Sequence, residues 1–108
     1  MRIAVYGGSF NPPHRAHALV ASWLVSSGTV EQVWLVPVFQ HAFEGIHGKN
    51  LAPYAQRIAW CTAMAEELGD RVVVSDVESR LPAPSYTIDT LQHLSTSHPE
   101  HRFRLVVG

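Results

Sequence analysis

Apolar positions recur along the chain in two alternating rhythms. Residues 2–6 form a short run that stops at Gly7 and Gly8, the pattern of a buried strand followed by a tight turn. Residues 14–27 place Ala16, Val20, Trp23, Leu24 and Ser27 on one helical face, and Gly28 stops the helix. A second apolar run, residues 32–36, is closed by Pro37. Residues 38–52 have no clear period and contain Gly45 and Gly48, which reads as a long loop of the kind kept for binding. Pro53 suits the first turn of a helix reaching Leu68, with Tyr54, Ile58, Cys61, Ala65 and Leu68 on one stripe and Gly69 as its stop. Residues 72–75 give a third strand. After Pro82-Ala83-Pro84, Ser85 is a candidate N-cap, and Ile88, Leu91, Leu94 and Ser95 face one way until Pro99 ends a third helix. Residues 103–107 supply strand four.

Apolar strands alternating with helices define the α/β class, with a parallel sheet covered on both faces and right-handed crossovers. The Rossmann-like strand order 3-2-1-4 makes strands one and four neighbours, and the crevice between their C-terminal ends is the usual ligand site. Gly7, Gly8 and Gly108 open onto that crevice. At 108 residues the chain is one domain, spanning positions 1–108.

Composition narrows the partners. With 46% hydrophobic and 16% charged residues and a net charge of -1, the chain lacks the basic bias of nucleic-acid binding. No apolar run approaches the roughly 18 residues of a membrane span. Cys61 stands alone, so no intrachain disulfide is possible, and no secretory leader precedes the first strand. These features read as a cytoplasmic protein with neither a nucleic-acid nor a membrane partner.

The chemistry concentrates after strand one, in Gly7-Gly8-Ser9-Phe10-Asn11-Pro12-Pro13-His14-Arg15-Ala16-His17. A glycine pair between a strand and a helix lets backbone approach a bulky anion, with the helix N-terminus aimed at it, though an ordinary turn uses the same residues. His14 and His17, three apart, share a helical face, where two imidazoles can donate hydrogen bonds to phosphoryl oxygens. Either histidine can equally be a core or surface residue. His93, His98 and His101 are scattered and matched by no cysteine, which argues against a zinc site there. Cys61 and the three tryptophans, Trp23, Trp34 and Trp60, read as packing.

The first segment resembles the Gly-Gly-x-Phe-x-Pro-x-His-x-Gly-His signature of nucleotidyltransferases, with Ala16 where glycine is usual. Ser85-Tyr86-Thr87-Ile88-Asp89-Thr90-Leu91 looks like the Ser-Tyr-Thr-x-x-Thr-Leu segment of the nicotinate-nucleotide adenylyltransferase branch. Glu78 and the strand ending in Gly108 also fall at family positions, so the resemblance covers nearly the whole chain. It implies AMP transfer from ATP to nicotinate mononucleotide, giving deamido-NAD and pyrophosphate, with Mg²⁺ carried by ATP and no protein metal site.

In that reading His14 and His17 are catalytic, and Gly7, Gly8, Ser9, Phe10 and Gly108 hold phosphate or nucleotide. Tyr86 and Thr87 meet the pyridine carboxylate, whereas without the first motif Ser85 would simply cap a helix over a packed Tyr86. The loop of residues 38–52 departs from the family's Pro-Pro-His-Lys type segment. Lys49 is its candidate triphosphate contact, with His41 or His47 as the histidine, and a solvated lysine is the alternative. Arg57 either reaches phosphate or pairs with Glu66 or Glu78. The family's Ile-Ser-x-Thr-x-Ile-Arg type segment is not in the chain, which therefore reads as an N-terminal portion cut short after strand four. The expectations that follow are a truncated chain or one that self-associates through the strand-four edge, with weak or absent turnover. The alternatives are a binding module without turnover, and a pantetheine-phosphate or cytidylyl branch of the same fold.

Overall fold

The computed structural model describes residues 1–39, 51–81 and 87–106. Lys49, His41, His47, Ser85, Tyr86, Gly108 and the side chain of Thr87 lie outside that description. Four parallel strands, β1 (Arg2–Gly8), β2 (Gln32–Pro37), β3 (Val72–Val74) and β4 (Arg102–Val106), form one sheet in the order β3-β2-β1-β4. Three helices alternate with them, α1 (Arg15–Ser26), α2 (Tyr54–Leu68) and α3 (Thr87–Ser97), and a 3₁₀ turn at Val77–Arg80 follows β3. The expected class and strand order are both present, and only the 3₁₀ turn has no counterpart in the apolar rhythm.

Alternation along the strands divides the core in two. Ala4 and Tyr6 of β1 with Val33 and Leu35 of β2 face α1 and α2, where Ala21, Leu24, Cys61 and Ala65 meet them. Val5 and Val36 point the other way, toward Val77 of the 3₁₀ turn and Leu94 of α3, with Trp34, Leu91 and Phe103 packed beside them. Both faces are covered, which is why the strands read as continuous apolar runs. Gly28 and Gly69 take the positive φ angles, +76° and +106°, that end α1 and α2 where the sequence places their stops. Among the described residues no helix is long and apolar enough to cross a membrane.

Three readings of the pattern are corrected. Gly7 and Gly8 lie inside β1, paired with Val36 and Pro37, and the turn begins only at Phe10. Trp23 is 63% exposed beside an exposed Leu19, so α1 buries the stripe through Ala21 and Leu24 instead. Both sides of α1 are apolar, so spacing alone could not orient it. Ile88 is also exposed, and Thr90 takes its place against the sheet because its hydroxyl donates a hydrogen bond to the buried Glu78 carboxylate.

Candidate phosphate-binding site

In a parallel sheet each crossover helix runs back against the strands, so α1, α2 and α3 all begin at the C-terminal edge. Three dipole-positive helix starts therefore lie along this edge, with α1 leaving directly from β1 beside the crevice between β1 and β4. Two of them begin within the recognised segments, α1 after His14 and α3 at Thr87.

Between β1 and α1 the chain folds into a braced loop. Phe10 adopts φ +48°, a left-handed conformation unfavourable for a bulky residue, and a cis peptide joins Asn11 to Pro12. The Phe10 ring is buried edge-on to Tyr6 at 5.7 Å and lies 4.8 Å from the His17 ring, so it floors the site. The same ring packs over Gly8, where an added Cβ would meet it at 3.5 Å, an ordinary van der Waals contact. Asn11 Oδ1 accepts a hydrogen bond from the Ala52 amide at 2.8 Å, tying the loop to the approach of α2.

Arg57 is the brace. Its side chain is 1% exposed, and Nε donates to the Ala52 carbonyl at 2.8 Å. Nη1 donates to the carbonyls of Val38 and Ser9, at 2.6 and 3.1 Å. The guanidinium sits 5.4 Å from the centre of the Tyr54 ring. It thus holds three chain segments together, a positioning arrangement built from backbone carbonyls. Cys61, one turn further on, is fully buried and its thiol is pushed up to about 11, mainly by desolvation, which fits packing rather than nucleophilic chemistry.

The two histidines cap α1 reciprocally. Nδ1 of His14 accepts from the Ala16 amide at 3.2 Å, and Nδ1 of His17 accepts from the His14 amide at 2.9 Å. Their rings lie 4.0 Å apart. With both Nδ1 atoms engaged as acceptors, each neutral ring carries its proton on Nε2, the donor left for a ligand. Desolvation, then repulsion from His14, holds the His17 pKa below the ordinary 6.5.

On the opposite wall, Glu78 and Thr90 are both almost fully buried, and their hydrogen bond fixes α3, whose first residue is Thr87, against the sheet. The second threonine of the Ser-Tyr-Thr-x-x-Thr-Leu segment is therefore structural. Trp60 borders a groove with Pro12, Pro13 and His14 between α1 and α2.

A model of the family described as Cytidylyltransferase-like matches residues 5–103. A relative from Anaeromyxobacter sp. (strain K), named "Probable nicotinate-nucleotide adenylyltransferase", is 45% identical over 98% of this chain and 56% of its own. A relative of the same name from Myxococcus xanthus (strain DK1622) is 35% identical over 100% of this chain and 55% of its own. The chain thus spans about half the length of these relatives. The solved structure of Plasmodium falciparum nicotinic acid mononucleotide adenylyltransferase complexed with NaAD superposes with a TM-score of 0.82 at 23% identity, over 99% of this chain and 51% of that one.

Two outcomes are expected. Arg57→Met leaves three part-buried carbonyls without their shared donor and should lower the unfolding free energy by about 3 kcal/mol in urea titration; a loss within 0.5 kcal/mol, on the order of a surface substitution, would contradict the brace. Because the folded pKa of His17 is the depressed one, its contribution to stability is whole above pH 6.5 and declines as pH falls from there through the folded value. Imidazole NMR should find the His17 midpoint below 6.5, and higher in His14→Ala than in the parent.

Proposed function

The chain belongs to the cytidylyltransferase-like family, and on that premise we propose that it carries the AMP-transfer site of a nicotinate-nucleotide adenylyltransferase. A phosphate oxygen of nicotinate mononucleotide attacks the α-phosphorus of ATP in line, the bond to the bridging oxygen of pyrophosphate breaks, and deamido-NAD forms. The mononucleotide supplies the nucleophile, so the protein's work is positioning and stabilising charge.

The observation that carries the reading is the reciprocal cap, which leaves Nε2–H of His14 and of His17 as paired donors beside a helix N-terminus. Backbone from Gly7 through Phe10 lines the phosphates, with Lys49 and Gly108 as further contacts to nucleotide and Tyr86 and Thr87 as contacts to the pyridine carboxylate. Arg57 acts through the Ser9 carbonyl. In this reading the Mg²⁺ of the reaction is carried by ATP, bridging its phosphates. The names of the relatives favour the nicotinate branch over the pantetheine-phosphate and cytidylyl branches. The reading places the enzyme in the cytoplasm.

Calorimetric titration with nicotinate mononucleotide, nicotinamide mononucleotide and Mg·ATP, followed by pyrophosphate release, tests it. Nicotinate mononucleotide should bind in preference and turn over. Binding without turnover would reduce this chain to a nucleotide-binding module. His17→Ala should lower turnover by on the order of 10²-fold, as removal of a transition-state donor does. It should also cost about 1 kcal/mol of stability through the lost cap. Turnover unchanged in that variant would remove His17 from the chemistry.

A further inference from the structure

At the other end of the sheet, the described residues bring together one group of potential metal donors that the sequence argument had dismissed. His98 follows α3, and Glu100 and His101 lead into β4. His98 Nδ1 lies 3.8 Å and His101 Nε2 3.4 Å from the same carboxylate oxygen, Glu100 Oε2. The three donor atoms are all within 4.8 Å of one another. Spacing hid the group because a sharp turn, closed by a hydrogen bond from the His101 amide to the His98 carbonyl, folds the residues onto one another.

Aromatic contacts bring the two rings to one side of the turn. Trp34 of β2 stands edge-on to His98 at 5.4 Å and to His101 at 6.2 Å. The imidazoles themselves stack at 5.8 Å with 25° between their planes. His101 Nδ1 has no hydrogen-bond partner, so no internal bond commits that ring to one tautomer, and Nε2 is able to present a lone pair toward Glu100. Both imidazoles face the Glu100 carboxylate, an ion pair when they are protonated and a cluster of lone pairs when they are neutral. Two neutral imidazoles and one carboxylate make the borderline N₂O donor set that suits zinc-class ions. Tetrahedral coordination at about 2.0–2.1 Å separates ligand atoms by roughly 3.3 Å; the His101–Glu100 pair at 3.4 Å already has that spacing, and His98, at 3.8 Å, would close in on binding.

We propose that the His98, Glu100 and His101 turn binds one divalent transition-metal ion of the zinc class, with water completing the coordination. The ion would be structural. Arg102, next along the chain, pairs with Arg2 at the start of β1, six residues before Gly8, which places the turn roughly 20 Å from the phosphate site at strand rise. Binding there would staple α3 to the edge strand β4 and stabilise the folded chain by mass action. The site is independent of the adenylyltransferase reading.

Zinc chloride titrated into the chain, followed by calorimetry and thermal melting, should show one-to-one binding in the micromolar range and a higher melting temperature. The His98→Ala/His101→Ala double variant should lose at least about tenfold in affinity together with the thermal shift. Glu100→Gln, which leaves the ring stack intact, should weaken binding about tenfold, and His93→Ala on α3 should change nothing. Zinc affinity equal to the parent's in Glu100→Gln and in the double variant would overturn the proposal. So would a parent chain that fails to bind at micromolar zinc.

Discussion

The structure around the crevice depends on one buried cation. Arg57 has given up its water, and a desolvated guanidinium is tolerable only where acceptors surround it. Here the acceptors are backbone carbonyls of Ser9, Val38 and Ala52, drawn from three segments far apart in sequence. The same interaction that satisfies the charge therefore fixes how the exits of β1 and β2 sit against the start of α2. The Asn11 bond to the Ala52 amide adds a second tie to that junction. A loop held in this way can keep Phe10 at a positive φ, which a loose loop would relax.

On that platform, folding and proposed chemistry share atoms. The inner nitrogens of His14 and His17 cap α1, and this assigns the protons to the outer nitrogens. The helix cap and the proposed pair of phosphate donors are then one arrangement seen from two sides. The Phe10 ring beneath His17 lowers the local polarity and contributes to the desolvation that depresses its pKa. Preorganisation of this kind costs nothing further when charge develops on a phosphoryl group.

Much of this was legible in the residues. Continuous apolar strands broken by glycine and proline gave the class, and the segments Gly7 to His17 and Ser85 to Leu91 led to the crevice. The misreadings have separate physical causes. Glycine after a strand does not announce a turn, and Gly7 and Gly8 stay in the ladder because neighbouring β2 continues beside them to Pro37. Trp23 faces out because α1 is apolar on both sides and buries the other one, and Ile88 faces out because Thr90 takes the inner face of α3 to bond the buried Glu78 carboxylate. Arg57 did leave a signal, as a cation four residues before Cys61 on an apolar stripe, but only three dimensions reveal the carbonyls it gathers. The His98, Glu100 and His101 turn left none, since proximity there comes from a turn rather than a helical or strand period.

The central claim is that Arg57 holds the loop on which both histidines stand. Amide hydrogen exchange of the folded Arg57→Met variant tests it most directly. The claim predicts faster exchange at the His14 and Ala16 amides, whose bonds to the ring nitrogens depend on the loop, with Val5 and Leu35 in the sheet protected as in the parent. Unchanged protection at His14 and Ala16 in that variant would contradict it.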